Sequence, residues 1–172
     1  MIPSVFKTIN PFADRWKALD SAAIFCARFL PYLMMIFLFI SAIISNRISL
    51  FLYPLLSGLF SRFVIGEAIY LVYKKDRPAT IKGVNVLIPV PKTPSFPSGH
   101  ASFFFGLSFM LFSRNVELAI LFLACTCLVT ISRVFSGVHW FKDILGGMLF
   151  GAISALVVYY LLLPWILSNL LF

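Results

Sequence analysis

The run AAIFCARFLPYLMMIFLFISAII, Ala22–Ile44, carries a single charge, Arg28, and is longer than the roughly 20 residues that take a helix across a bilayer core. Four more apolar runs follow it, Ile48–Tyr73, Ala101–Phe112, Val116–Ile131 and Ile144–Phe172. The shorter ones can span if their flanks supply length. Hydrophobic residues make up 61% of the 172 and charged residues 12%, against roughly half and a quarter in soluble domains. These features predict an all-α, polytopic membrane bundle of one domain, residues 1–172, with five spans.

Pro3, Asn10, Pro11, Asp14 and Asp20 break up the first twenty residues, so a cleavable signal peptide is not expected there. Phe6, Phe12, Trp16 and Leu19, interleaved with Lys7, Arg15 and Lys17, instead predict that residues 1–21 lie in the membrane interface. Cys26, Cys125 and Cys127 all fall in apolar runs without CxxC spacing, giving neither a disulfide framework nor a zinc site. No nucleotide-binding glycine loop, repeat or nucleic-acid motif accounts for the net charge of +8.

Five spans sort that charge steeply. Lys7, Arg15, Lys17, Lys74, Lys75, Arg77, Lys82, Lys92, Arg133 and Lys142 fall on one face, Arg47 and Arg114 on the other, and Arg28 and Arg62 within spans. The positive-inside rule makes the cationic face cytoplasmic, whereas a cluster that holds an anionic substrate escapes that rule. A central Arg in a span costs ~2.5–3.5 kcal/mol on insertion scales, so Arg62 and Glu67 are expected to face the bundle interior as a structural pair. Gly147, Gly151 and Ala155 form a small-xxx-small row that predicts close helix packing.

The two histidines stand in polar clusters at span ends on the cationic face. In SFPSGHAS, Ser95–Ser102, Pro97, Ser98 and Gly99 read as a helix start with Ser98 as N-cap, leaving free N–H groups that favour an anion near His100. In SRVFSGVHWFKD, Ser132–Asp143, helix from about His139 onward stacks Asp143 on His139 at a spacing of four. A carboxylate on one imidazole nitrogen leaves the other free for nucleophilic attack on phosphorus. Arg77 and Arg133 supply bidentate cations for the phosphoryl oxygens, and His100 a proton for the leaving oxygen. That chemistry needs no metal and no cofactor. Ligation of haem by His100 and His139 is the alternative from another class, although haem ligands usually lie deeper in apolar spans.

KKDRP (Lys74–Pro78 with Asp76 and Arg77), PSGH (Pro97–His100) and SRVFSGVHWFKD together resemble the three motifs of the type 2 phosphatidic acid phosphatase superfamily. The likeness covers residues 74–143; the rest agrees only in helical character. It implies a metal-independent lipid phosphate or diphosphate hydrolase. His139 is then the nucleophile that becomes phosphohistidine, Asp143 its orienting partner and His100 the acid, with Arg77, Arg133, Ser98 and Gly99 on the phosphoryl oxygens. Substrates of the family include undecaprenyl diphosphate, phosphatidylglycerol phosphate, phosphatidic acid and lipid A phosphates. The Lys that opens the first motif is replaced by Tyr70, as in some undecaprenyl diphosphate phosphatases, which favours that substrate. If the second span stays helical through Arg77, Lys74 shares a face with positions 70 and 77 and replaces the missing Lys, so Lys74 is expected to matter far more than Lys75. A phosphotransferase using the same phosphohistidine is the nearest alternative. The resemblance also implies a bacterial inner membrane with the site on the periplasmic face. The expected partners are phosphorylated lipid and bilayer, not nucleic acid. The loop Ile81–Phe96, apolar and rich in proline, is read either as lying against the headgroups or as a plain connection.

Overall fold

The computed structural model describes residues 4–170; Met1–Pro3 of the interfacial segment and Leu171–Phe172 of the last run lie outside them. The helices are α1 (Ser4–Ile9), α2 (Lys17–Arg28), α3 (Leu30–Ile44), α4 (Ser49–Leu59), α5 (Gly66–Val72), α6 (Gly99–Leu111), α7 (Val116–Phe135), α8 (Phe141–Val157) and α9 (Leu163–Leu170). Wider π turns, Phe60–Ile65 and Val158–Leu162, join α4 to α5 and α8 to α9 without breaking the rods. Among the described residues, three helices are long and apolar enough to cross a membrane: Ser49–Val72, Val116–Phe135 and Phe141–Ile166. The pair α2 and α3, bent by 47°, makes a fourth if counted as one.

α6 is the hub. Nine of its thirteen residues are buried, and it packs most extensively on α8, then on α4 and α7. The small-residue row does what its spacing predicts. A Cβ on Gly151 would meet the backbone nitrogen of Gly106 at 2.6 Å, and one on Gly147 would overlap Ala101. Two serines in this contact are paired: Ser57 Oγ donates to the Gly106 carbonyl at 2.9 Å and Ser154 Oγ to the Ser57 carbonyl at 2.7 Å. Phe104, Leu107 and Leu111 meet Met34, Leu38, Phe122 and Val129 in the main apolar cluster.

The bend between α2 and α3 has a local cause. Pro31 lacks the N–H that would reach back to the Ala27 carbonyl, and its ring crowds that oxygen. The freed carbonyl is buried and accepts a hydrogen bond from Arg133 Nη1 at 3.2 Å. A proline in the first membrane helix thus anchors an arginine from the end of α7.

The N-terminal segment differs in part from its expected interfacial lie. Phe12, Trp16 and Leu19 are exposed, but Phe6 is buried, with its ring 5.0 Å from that of Trp140. Asn10 is buried too and donates to the carbonyls of Asn85 and Phe135. The side chain of Lys7 lies outside the described ones. These bonds tie the N-terminal segment, the loop 73–98 and the end of α7 into one end of the bundle. At the other end Arg114 Nη2 donates to Ser49 Oγ at 2.8 Å.

Candidate active site

His139 lies in the turn between α7 and α8 and is 2% exposed. Its Nδ1 is 3.0 Å from the Ser95 carbonyl and 3.5 Å from Asp143 Oδ2, while Nε2 is 3.1 Å from Arg77 Nη1. A guanidinium can only donate, so Nε2 must accept and Nδ1 must carry the proton. The ring is therefore neutral with its lone pair on Nε2. Burial pushes the His139 pKa down to about 4, against the opposing pull of its bond to Asp143. Neutral imidazole is the form a nucleophile needs.

The helix α8 starts at Phe141, later than expected, with His139 outside it. Asp143 still meets the histidine because it occupies the third position of α8 and turns back, its Oδ2 accepting the Trp140 N–H at 2.9 Å. The carboxylate is fully buried. Lys75 Nζ donates to its Oδ1 at 2.7 Å and Ser95 Oγ to its Oδ2. Such a carboxylate is held by two loop residues, Lys75 and Ser95, to which the sequence pattern assigns no role. Only a Lys and a Ser beside motif residues were visible beforehand, and no spacing rule connects them to position 143.

This geometry corrects the expectation for Lys74. α5 ends at Val72 and Tyr73 is extended, so positions 70, 74 and 77 do not share a helical face. Lys75, not Lys74, turns inward to Asp143, whereas Lys74 is exposed. Lys74 lines a cavity of about 550 Å³ with Lys75, Arg77, Lys92 and Thr93, at the mouth of the site.

Arg77 is buried and almost fully bonded. Nε donates to the Thr93 carbonyl, Nη2 to Thr93 Oγ1 and the Pro94 carbonyl, and Nη1 to the Val138 carbonyl at 3.0 Å. Burial lowers its pKa from the ordinary arginine value. Arg133, also 5% exposed, keeps its Nε without a hydrogen-bond partner among the described residues, as does Ser102 Oγ in the first turn of α6. Buried orphan donors of this kind call for an acceptor.

Ser98 caps α6 as its sequence predicts, its Oγ accepting the Ala101 N–H at 3.5 Å, and its own N–H donates to the Asp143 carbonyl at 3.0 Å. The start of α6 is thereby fastened to the start of α8. Tyr70 Oη donates to the Pro97 carbonyl at 2.8 Å and fixes the approach to Ser98. His100, in the first turn, has no hydrogen bond among the described residues and lies within the fields of Arg133, His139, Arg62 and Arg77. It lines an apolar groove with Arg62, Gly99, Pro31, Met35 and Phe103. All eight residues singled out in the sequence thus gather at one end of the bundle, with Lys74 at its rim. Ile88 of the loop 81–96 packs on Ala27 and Val138, so this loop is a wall of the site, while Ile81, Val86 and Val90 stay exposed.

The family model of the PAP2 superfamily matches residues 48–166. The chain is 28% identical over 159 residues to the bacitracin transport permease protein BcrC of Bacillus licheniformis, covering 90% of this chain and 77% of that one. It is 28% identical over 146 residues to the undecaprenyl-diphosphatase BcrC of Bacillus subtilis strain 168, covering 84% and 75%. The crystal structure of LpxE from Aquifex aeolicus superimposes with a TM-score of 0.67 at 24% identity, over 90% of this chain and 92% of that one, a likeness of fold. The three sequence motifs and a match over most of the chain agree: the protein belongs to the PAP2 superfamily.

Proposed function

We propose that the protein is a membrane lipid phosphatase that acts through a phosphohistidine, with a lipid diphosphate of the undecaprenyl type as the favoured substrate. The observation that carries this is the state of His139: neutral, buried, proton on Nδ1, and lone pair on Nε2 facing a guanidinium. An incoming phosphoryl group takes over Arg77 Nη1 as a donor to its oxygens and so exposes Nε2 to phosphorus. Arg133 Nε, Ser98, the N–H groups at the start of α6 and Lys74 at the rim complete the anion site. Asp143, held by Lys75 and Ser95, stabilises the positive charge that the ring gains. His100 protonates the leaving oxygen, and water then hydrolyses the phosphohistidine.

The substrate preference is supported by the name of the Bacillus subtilis relative, an undecaprenyl-diphosphatase, and by Tyr70 at the position of the first-motif lysine. We further assign five crossings, with α6 as the one that lacks full length. At ~1.5 Å per residue it covers about 20 Å, but it runs from the end that carries His139 to the end that carries Arg114, inside a jacket of longer helices. The site is assigned to the outer face of a bacterial inner membrane. Lys74, Lys75, Arg77 and Lys92 line the 550 Å³ cavity, so much of the positive charge on that face serves the anion rather than topology.

Purified protein in detergent, given a polyprenyl diphosphate and no added acceptor, should release inorganic phosphate, and His139→Ala should release none. Phosphate passed only to an added alcohol would instead establish the phosphotransferase reading.

A further inference from the structure

Arg62 is left over by the catalytic machinery. It projects from the π turn between α4 and α5, a local widening of the kind often found at functional sites. Its guanidinium lies 5.3 Å from the Tyr70 ring centroid and pairs with Glu67, half of whose side chain is exposed. It also rests on the start of α6. A Cβ on Gly99 would lie 2.5 Å from Arg62 Nε and 2.8 Å from its Cδ, so glycine at this position makes room for that side chain. An ion pair confined to the rod Ser49–Val72 would not require the first residue of α6 to be bare.

Two openings flank this end of the bundle: Tyr70 lines one and Arg62 the other, and the guanidinium lies over the Tyr70 ring. The cavity around Arg77 and Lys92 is cationic. The groove of about 290 Å³ beyond Tyr70 is lined by Pro31, Met35, Phe63 and Phe103, with Arg62 and His100 as its charged and ionisable members. In the proposed reaction His139 Nε2 bonds to the terminal phosphorus while the bond from that phosphorus to the bridging oxygen breaks. The electron pair stays on the bridging oxygen, which takes the proton of His100. The second phosphorus is one bond further on, towards the groove that suits an apolar chain. The cation it meets there is Arg62.

We propose that Arg62 binds the non-reacting phosphate of a lipid diphosphate and so makes the enzyme select diphosphates over monoesters. This rests on the assignment of His139 and His100 above. A monoester has nothing to offer Arg62, which then stays with Glu67.

The test compares kcat/KM of the full-length protein on a polyprenyl diphosphate and on the corresponding polyprenyl monophosphate. Arg62→Met should lower the value for the diphosphate at least tenfold more than that for the monophosphate, and Arg62→Lys should give an intermediate ratio. Glu67→Gln should keep the diphosphate preference. Equal losses on both substrates in the Arg62 variants, or the same loss in Glu67→Gln, would show a structural ion pair and overturn the proposal. If Arg62→Met does not fold, the Lys variant decides by the same ratio. Wild-type protein active on both substrates, with His139→Ala inert and the ratio unmoved by Arg62, sinks this inference alone. Wild-type protein inert on both sinks the functional reading with it.

Discussion

His139 owes its reactivity to residues that contact it from far along the chain. The carbonyl of Ser95 accepts a hydrogen bond from the Nδ1–H, and Lys75 and Ser95 hold the carboxylate behind it. Asp143 has no exposed surface, so removal of Lys75 leaves a buried carboxylate with the hydrogen bonds of Ser95 and Trp140 but without its lysine countercharge. Loss of one member of such a pair typically costs ~3–5 kcal/mol. Lys75→Met should therefore lower both the melting temperature in detergent and kcat, by an order of magnitude or more for the latter. Lys74→Ala should leave the melt unchanged and weaken activity only a few-fold, through the rim of the cavity. Thermal melts and phosphate release on the two variants check this, and a larger loss for Lys74→Ala would restore the helical reading of the first motif.

At the scale of elements, the positions of Arg133 and of α6 both follow from small backbone facts. Pro31 frees the Ala27 carbonyl, and that oxygen holds one arm of Arg133. In Pro31→Ala the new N–H competes for the same carbonyl. Pro31 stands in the first turn of α3, where proline costs little, so the helix should not lose stability, while Arg133 loses its anchor. We expect a several-fold drop in kcat with a melting temperature that is not lowered. An unchanged kcat would show that Arg133 does not need Ala27. The helix packing, by contrast, was written plainly into the chain: Gly147, Gly151 and Ala155 recur at intervals of four, and an interval of four on a helix is one face.

For the whole molecule, the apolar runs, the PSGH cap and the His139–Asp143 spacing were legible because each is a local pattern. Lys75, Ser95 and Arg62 were not, since their roles depend on where a loop turns, where α5 stops and which rod lies beside the start of α6. The reading of Lys74 failed for that reason: it extended a helix through Tyr73, where the backbone is extended. Phe6 looked like an interfacial residue and instead packs on Trp140, because a bundle end with a fixed loop offers it a protein surface. The proposed five-crossing arrangement would place Lys92 and Arg114 at opposite membrane faces. In intact cells of a cysteine-free variant, a membrane-impermeant maleimide should label Lys92→Cys, and should reach Arg114→Cys only after permeabilisation. Labelling of both from one side would remove α6 from the list of crossings.

The central claim is that His139 carries the phosphoryl group. The direct measurement is acid-quench avoidance with alkaline trapping: brief reaction with a lipid diphosphate labelled in its terminal phosphate, denaturation in alkali, and mapping of the protein-bound label. An acid-labile, alkali-stable phosphate should appear on the peptide that contains His139, absent from His139→Ala and accumulating when the hydrolysis step is slowed by cold. Turnover with no label on that peptide, or label that persists in His139→Ala, would contradict it.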